Sequence, residues 1–208
     1  MPRLPIVPTI VVALAVAAMI GLGVWQLQRR SWKEALLAQY TRNLTEPPTS
    51  FPKPPVGHEE LLFRKSSVFC IEAHGWERQA GRNRDGATGW LLTTRCRTGA
   101  EGPGLRVALG VTDDPKFEPD WKGGEVRGVI AQAPDHRPLI ATLFGKAPPR
   151  ELMLIADTAP EGLEPSMPPD PSTVPNNHLA YAVQWFIFAA LAVVIYLLAL
   201  RRRGKRQA

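Results

Sequence analysis

The sequence predicts a membrane protein in which two transmembrane α-helices form a hairpin, joined by a mostly antiparallel β domain outside the cytoplasm. Two runs of 22 residues, 4–25 and 179–200, contain no charged side chain. As helices with a rise of 1.5 Å per residue, the runs would each extend about 33 Å, enough to cross the roughly 30 Å apolar core of a bilayer. Between them lie short stretches that alternate apolar and polar residues, a pattern typical of half-buried strands.

The first segment, residues 4–37, is predicted to be a transmembrane helix with an extension beyond the membrane surface. Small side chains recur at every fourth position of its apolar part, namely Ala13, Ala17 and Gly21. Such a stripe would let a second helix approach closely. The same face continues to Trp25, which suits a membrane interface, and then to Arg29 and Trp32. We expect an uncleaved anchor rather than a signal peptide, because only a short apolar stretch precedes the cleavage-like residues 15–17.

Two proline-rich connectors, residues 46–55 and 158–177, are predicted to bracket a β-rich domain at residues 56–157. Proline has no backbone donor, so neither connector can form a regular helix or a central strand. Between them, strands are expected at residues 67–73, 90–96, 105–112, 126–131 and 152–156. Glycine- and asparagine-containing turns separate these strands, which predicts a small antiparallel sheet or a partly closed barrel. Helix is expected only as a single turn within residues 138–146.

The second transmembrane helix is predicted at residues 178–200, followed by a basic cytoplasmic tail at residues 201–208. The tail carries five basic residues, whereas residues 168–178 carry one charge, that of Asp170. Because basic residues collect on the cytoplasmic side of a membrane, the C-terminus is expected in the cytoplasm. With two spans, the N-terminus lies there as well. Three basic residues after the first span oppose this orientation, but the count over both spans is six inside against three outside.

The net charge of +6 is concentrated beside the membrane rather than on a folded domain. Nine of the 25 basic residues flank the two spans, while all 19 acidic residues lie between positions 34 and 178, where the net charge is −3. A nucleic-acid-binding domain would instead concentrate basic residues on one folded face, so we expect no nucleic-acid partner.

Cysteine and histidine usage argues against an enzyme or a metal site in the β domain. Cys70 and Cys96 are the two cysteines and form no CxxC motif, which disfavours a thiol oxidoreductase or a copper carrier. They could form a disulfide in an oxidising compartment, or equally be two small buried residues on neighbouring strands. His58, His74 and His136 lack zinc-ligand spacing, and no hydrolase or nucleotide-binding motif is present, so no enzymatic activity is expected.

His178, at the entrance of the second span, is the residue with the clearest chemical potential. One interpretation makes it a helix-start residue whose imidazole faces lipid headgroups, with Asn176 or Asn177 as the cap. The other makes it a ligand of haem iron, because histidine is a usual axial ligand when it faces another helix at membrane depth. Tyr181 and Trp185 lie on its helical face at i+3 and i+7 and would flank a porphyrin.

The predicted topology brings the end of the first span to the same membrane level as His178. If the two spans pack as a hairpin, Trp25, Arg29 and Trp32 face the neighbourhood of His178. Either Arg29 or Arg30 would then meet the haem propionates through charge-assisted hydrogen bonds.

Two motifs resemble the surfeit-locus cytochrome c oxidase assembly protein family. Residues 23–33, GVWQLQRRSWK, are similar to the signature that ends the first span in that family. Residues 176–186, NNHLAYAVQWF, are similar to the signature that opens the second span. In the central domain, residues 108–111 read ALGV where the family commonly has NRGW, so the chain resembles a divergent bacterial member.

The resemblance implies a non-enzymatic factor for the assembly of haem-copper cytochrome c oxidase, which aids delivery or retention of haem a while the catalytic subunit matures. It implies that His178 is the ligand of haem iron. The other site residues that it implies are Trp25, Arg29, Trp32, Tyr181 and Trp185. The expected partners are the membrane, the catalytic subunit of the oxidase and haem a synthase.

The absence of a long Arg- and Ser-rich leader predicts a bacterial inner membrane rather than a mitochondrial one, with the β domain in the periplasm. A second interpretation of the whole chain stays open. In it, the protein is a membrane-anchored envelope scaffold that docks a protein partner through its β domain, and no cofactor is involved.

Overall fold

The chain separates into two compact units, one formed by Met1–Leu37 with Val174–Ala208 and the other by Ala38–Thr173. The first unit contains the apolar parts of two long helices, and the second contains a mixed β-sheet. The computed structural model describes residues 5–100, 104–135 and 149–207.

Two helices, α1 (Ile6–Thr45) and α2 (His178–Gln207), are long and apolar enough to cross a membrane. Many of their large apolar side chains are exposed rather than packed against protein, among them Ile6, Leu14, Ile187 and Ile195. Helices that expose apolar side chains in this way are typical of a lipid environment. α1 continues past the predicted extension and ends shortly before Pro47, since a residue that precedes proline avoids the helical conformation.

The described residues of the second unit form a seven-stranded sheet. Its strands are β1 (Thr49–Ser50), β2 (Lys65–Cys70), β3 (Glu72–Arg82), β4 (Thr88–Arg97), β5 (Leu105–Thr112), β6 (Gly124–Gln132) and β7 (Leu152–Ala156). The described strands lie in the order β1-β2-β6-β7-β5-β4-β3. Four neighbouring pairs are antiparallel, whereas β1 with β2 and β5 with β7 are parallel, so the sheet is mixed. The helical turn expected within residues 138–146 lies outside the described residues.

The sheet curls onto itself at one corner, where β2 passes into β3. These two strands lie near opposite ends of the strand order, yet only Ile71 separates them in sequence. The Ile71 N–H donates to the Arg97 carbonyl at 2.8 Å, which joins this corner to the end of β4. A buried disulfide links Cys70 to Cys96 at the same corner, with a Cα–Cα distance of 5.4 Å. These contacts join β2 to the β3–β4 edge of the described sheet at this corner.

β5 lies at the centre of the core and is buried on both faces, with only Arg106 partly exposed. The sequence predicted a half-buried strand, and this prediction was wrong because the segment that follows β7 covers the second face. A Cβ placed on Gly110 would lie 2.9 Å from the Cβ of Leu163. Val111 and Glu164 exchange two backbone hydrogen bonds, at 2.8 and 2.9 Å. Part of the predicted proline-rich linker therefore packs against the sheet.

The sequence did not predict most of β3, which forms one edge of the described sheet. Its side chains are largely polar and are exposed or half-buried throughout, so no alternation of apolar and polar residues marks it. Backbone pairing with β4 holds it along most of its length. An ion pair between Glu72 and Arg97, at 2.9 Å, joins the same two strands. Charged side chains on an edge strand also discourage pairing with another chain.

The last residues of α1 belong to the sheet unit and are fixed there by hydrogen bonds. The buried Asn43 donates from Nδ2 to the carbonyls of Glu60 and Leu62, at 2.8 and 2.7 Å. Tyr40, one helical turn earlier, is also buried. Burial, and secondarily the negative charge of Glu59, raises the pKa of the Tyr40 hydroxyl above its usual value. These contacts attach the end of α1 to the segment that precedes β2.

Asn43→Leu should lower the free energy of unfolding of the sheet unit by about 1–3 kcal/mol, because two carbonyls lose their donor. Urea unfolding of the purified protein in detergent, followed by tryptophan fluorescence, measures the change. Gln39→Leu is the matched control, since its amide reaches the same Glu60 carbonyl at a long 3.4 Å in an exposed hydrogen bond. Its effect should stay within about 0.5 kcal/mol. Equal losses in the two variants would contradict the role of Asn43.

Candidate functional site

α1 and α2 lie side by side and run in opposite directions. As residue numbers rise along α1, those of the partners on α2 fall. The described contacts that establish this are the hydrogen bond between the Thr9 and Tyr196 hydroxyls, the packing of Gly23 against the Phe186 ring, and the hydrogen bond between Gln26 and His178. The two helices therefore form an antiparallel hairpin within their unit.

The facing positions alternate in steps of three and four residues, as in a coiled coil. On the apolar part of α1, the less exposed side chains include Thr9, Val12, Val16, Met19, Gly23 and Gln26. On α2, they include His178, Ala182, Trp185, Ala189, Ala192 and Tyr196. Ala182 and Ala189 are only 1% and 5% exposed, because small side chains let the two backbones approach closely.

The stripe of Ala13, Ala17 and Gly21 is not part of the contact between α1 and α2. All three residues are exposed, and a Cβ placed on Gly21 would meet no described atom within 4 Å. A Cβ placed on Gly23 would lie 2.5 Å from Cε1 of Phe186. A step of four residues turns about 400°, so a stripe of that period drifts around the helix, whereas alternating steps of three and four stay on one face.

His178 is the first residue of α2, and a hydrogen bond to α1 fixes its ring. Its Nδ1 lies 2.7 Å from Oε1 of Gln26, and both side chains are partly buried. An amide oxygen can only accept a hydrogen bond, so this contact requires a proton on Nδ1. A neutral ring with its proton at that position has a lone pair on Nε2, which can then bind a metal ion. The donor chemistry of this ring fits an axial ligand of haem iron.

Arg29 lies between two indole rings on α1. Its guanidinium carbon is 5.8 Å from the centroid of the Trp25 ring and 5.2 Å from that of Trp32. The two indoles are 48% and 57% exposed. Cation–π attraction of this kind keeps the guanidinium close to the rings. Arg30, the other candidate for binding a carboxylate, instead forms an ion pair with Glu34 at 2.7 Å.

Four of the predicted site residues lie on one side of the helix pair. Arg29 lies three residues after Gln26 on α1, and Tyr181 lies three residues after His178 on α2. Three residues turn a helix by about 300°, so each side chain is rotated by the same angle from the facing position on its own helix. In an antiparallel pair, equal turns from facing positions lead to the same side. This surface, which we call the aromatic flank, is exposed and consists of Trp25, Arg29, Trp32 and Tyr181. It combines apolar ring faces with one guanidinium, beside the hydrogen-bonded imidazole.

Trp185 and Gln26 occupy facing positions of the hairpin rather than the aromatic flank. The Trp185 ring is half-buried and meets Phe188 edge to face, with ring centroids 6.2 Å apart. Gln26 was not among the predicted site residues, although a signal for it exists in the sequence. It is an uncharged polar side chain just after an apolar run, and it continues the alternating three- and four-residue spacing of the facing positions.

Comparison with known proteins extends the similarity over most of the chain. The sequence model of the SURF1 family matches residues 13–190, a range that includes the sheet, Gln26 and His178. A SURF1-like protein of Monosiga brevicollis is 24% identical over an alignment of 221 residues, which covers 89% of this chain and 85% of that protein. A SURF1-like protein of Drosophila melanogaster is 22% identical over 216 residues, which cover 84% of this chain and 71% of that protein.

Gly23→Leu should weaken the pairing of α1 with α2, because the Phe186 ring occupies the space that a side chain would need. Overpacking costs about 1–3 kcal/mol, so pairing should fall by at least about fivefold. The yield of a disulfide between cysteines introduced at Thr9 and Tyr196, in membranes, measures the pairing. Gly21→Leu on the same background is the matched control and should leave the yield unchanged. A Gly23→Leu yield equal to that of the control would refute this packing.

Proposed function

This chain belongs to the SURF1 family, and from that membership we propose that it assists the assembly of haem-copper cytochrome c oxidase. The family is linked to the assembly of this oxidase. We propose further that the chain holds or delivers haem a while the catalytic subunit matures. The observation that supports the proposal is the hydrogen bond between Nδ1 of His178 and Gln26, on the part of the hairpin that also carries the aromatic flank.

Haem a, when bound, would supply an iron atom that accepts a nitrogen ligand. In our proposal, His178 would hold that iron through Nε2, and Arg29 would bind a propionate through charge-assisted hydrogen bonds. Four aromatic rings would offer apolar surface to the porphyrin, those of Trp25, Trp32, Tyr181 and Trp185.

An open binding surface suits a protein that passes its ligand on. A cofactor that stays with its protein is usually enclosed in a pocket. The side chains of the aromatic flank are instead exposed, so a partner helix in the same membrane could reach a ligand held there. We propose that the catalytic subunit receives haem a from this side and that haem a synthase supplies it. Holding and releasing a ligand requires no bond chemistry in the porphyrin, so the proposed role is non-enzymatic.

We propose that the chain crosses a bacterial inner membrane twice, with both termini in the cytoplasm and the sheet unit in the periplasm. Basic residues near the end of α2, Arg201, Arg202 and Arg203, favour a cytoplasmic C-terminus. The disulfide between Cys70 and Cys96 favours an oxidising compartment for the sheet unit, because cytoplasmic thiols are normally kept reduced.

A membrane-anchored scaffold is the second candidate function. Its support is an exposed apolar corner at the junction of β2 and β3, where Phe69 and Ile71 are 66% and 47% exposed. Apolar side chains that stay exposed close together are candidates for docking a protein partner. In that case, the two helices would act as anchors only.

Deleting the gene should remove most of the a-type haem signal from reduced-minus-oxidised spectra of the membranes, while the b- and c-type signals remain. Wild-type protein should restore the a-type signal, and His178→Ala should restore little of it, because the variant lacks the nitrogen that binds iron. Full restoration by His178→Ala would refute the proposed ligand.

Two further measurements separate haem binding from anchoring. Purified protein mixed with haem a should show a Soret band that His178→Ala weakens, and identical spectra would count against the ligand role. Replacing both helices with unrelated transmembrane spans should abolish complementation of the deletion. Complementation by that chimaera would instead favour the scaffold.

The proposed topology predicts that Cys70 and Cys96 are oxidised in the cell. Mass spectrometry after maleimide treatment of unreduced cells should find both cysteines unlabelled, and prior reduction under denaturing conditions should expose both. Free thiols in the wild-type chain would place the sheet in a reducing compartment and contradict the topology. Replacing both cysteines with serine should lower the free energy of unfolding by about 3–4 kcal/mol, given the loop that the disulfide closes.

A further inference from the structure

We infer, on the basis of the proposed function, that Gln26 is a positioning residue for His178. It keeps the proton of the neutral imidazole on Nδ1, so that Nε2 remains free to bind iron. Gln26 lies on α1 and His178 on α2, and the hydrogen bond between them crosses the hairpin.

The geometry of this contact is that of a well-formed hydrogen bond. The Nδ1–Oε1 distance of 2.7 Å lies at the short end of the usual range. Gln26 occupies a facing position of α1, whereas the residues on either side, Trp25 and Leu27, are 48% and 40% exposed. The amide of Gln26 is therefore the polar group that this turn of α1 presents to the imidazole.

The position of the proton decides which nitrogen of the neutral ring can bind a metal. A neutral imidazole in water places its proton more often on Nε2, and that atom then has no lone pair to donate. An acceptor held at Nδ1 reverses this preference, since only the Nδ1–H tautomer can donate to it. The effect is stronger in surroundings of low dielectric constant, where hydrogen bonds gain electrostatic strength.

The same bond makes the orientation of the imidazole depend on the helix pairing. Gly23 lies three residues before Gln26 on the facing side of α1, and its lack of a side chain leaves room for the Phe186 ring. The close approach at Gly23 brings the amide of Gln26 within hydrogen-bonding distance of His178. The glycine at position 23 and the amide at position 26, the next facing position, thus both contribute to placing the imidazole ring of His178.

A measurement without haem tests the tautomer directly. Full-length protein labelled with ¹⁵N-histidine, in detergent micelles, should give a neutral His178 ring with protonated Nδ1 and bare Nε2, assigned by comparison with His178→Ala. Gln26→Leu should move the proton predominantly to Nε2. A wild-type ring that already carries its proton on Nε2, or a Gln26→Leu spectrum equal to that of wild type, would overturn the inference.

Titration with ferric haem b as the probe tests the consequence for binding. Gln26→Leu should weaken the His178-dependent affinity by about 10- to 100-fold, the usual effect of losing a hydrogen-bond partner behind a metal ligand. It should also raise the reduction potential of the bound haem, because the imidazole donates less electron density. Gln26→Glu keeps an acceptor and should restore binding, with a potential at or below that of wild type. Gln28→Leu, at an exposed position two residues along α1, is the matched control and should behave as wild type.

The outcomes distinguish the two levels of the proposal. If His178→Ala leaves the haem spectrum unchanged, the proposed haem role fails, and the ¹⁵N spectra still decide what Gln26 does to the ring. If His178→Ala abolishes the signal while Gln26→Leu binds haem b with unchanged affinity and potential, the positioning role fails and the haem role stands. Far-ultraviolet circular dichroism of each variant checks that both helices are retained.

Discussion

One hydrogen bond, between Nδ1 of His178 and the amide oxygen of Gln26, joins residues 152 positions apart in the chain. Apolar helices in lipid gain similar dispersion contacts at many relative positions, so such contacts alone specify their alignment weakly. A polar pair is different, because a partly buried amide or imidazole without its partner costs about 1–3 kcal/mol. Together with the hydrogen bond between the Thr9 and Tyr196 hydroxyls, this bond therefore fixes the alignment of α1 on α2. It also determines that the aromatic flank lies beside the imidazole.

Two features stabilise the sheet unit: the joined corner where β2 passes into β3, and the segment after β7 that covers the central strand β5. The disulfide between Cys70 and Cys96 and the hydrogen bond from Ile71 to Arg97 close the corner where β2 becomes β3. The segment after β7 forms the cover, and its bridge between Val111 and Glu164 satisfies backbone groups that would otherwise be buried without partners. The proline-rich segment is thus partly a structural element of the sheet unit.

The sequence was most informative where burial leaves a local pattern. The two helices could be predicted from long runs without charge, and the cores of β4 to β7 from short apolar-rich stretches between turn residues. β3 could not, since an edge strand needs no apolar face, and the parallel pairings join segments that no local pattern connects. For the candidate site, the two motifs supplied His178 and the residues of the aromatic flank, and their role stays a prediction. The face that α1 turns toward α2 could not be predicted from small residues alone, because it depends on which glycine lies opposite a large ring on α2. In the structure, that glycine is Gly23 and the ring is that of Phe186.

The stacking of Arg29 between Trp25 and Trp32 has a consequence for conformational entropy. A free arginine side chain loses about 2 kcal/mol of rotamer entropy when it is immobilised by a bound anion. Here the indoles restrict the rotamers of Arg29 before any anion arrives, so much of that loss belongs to the folding of the chain rather than to binding. A carboxylate that reaches this guanidinium meets a side chain whose rotamers are already restricted by the two rings.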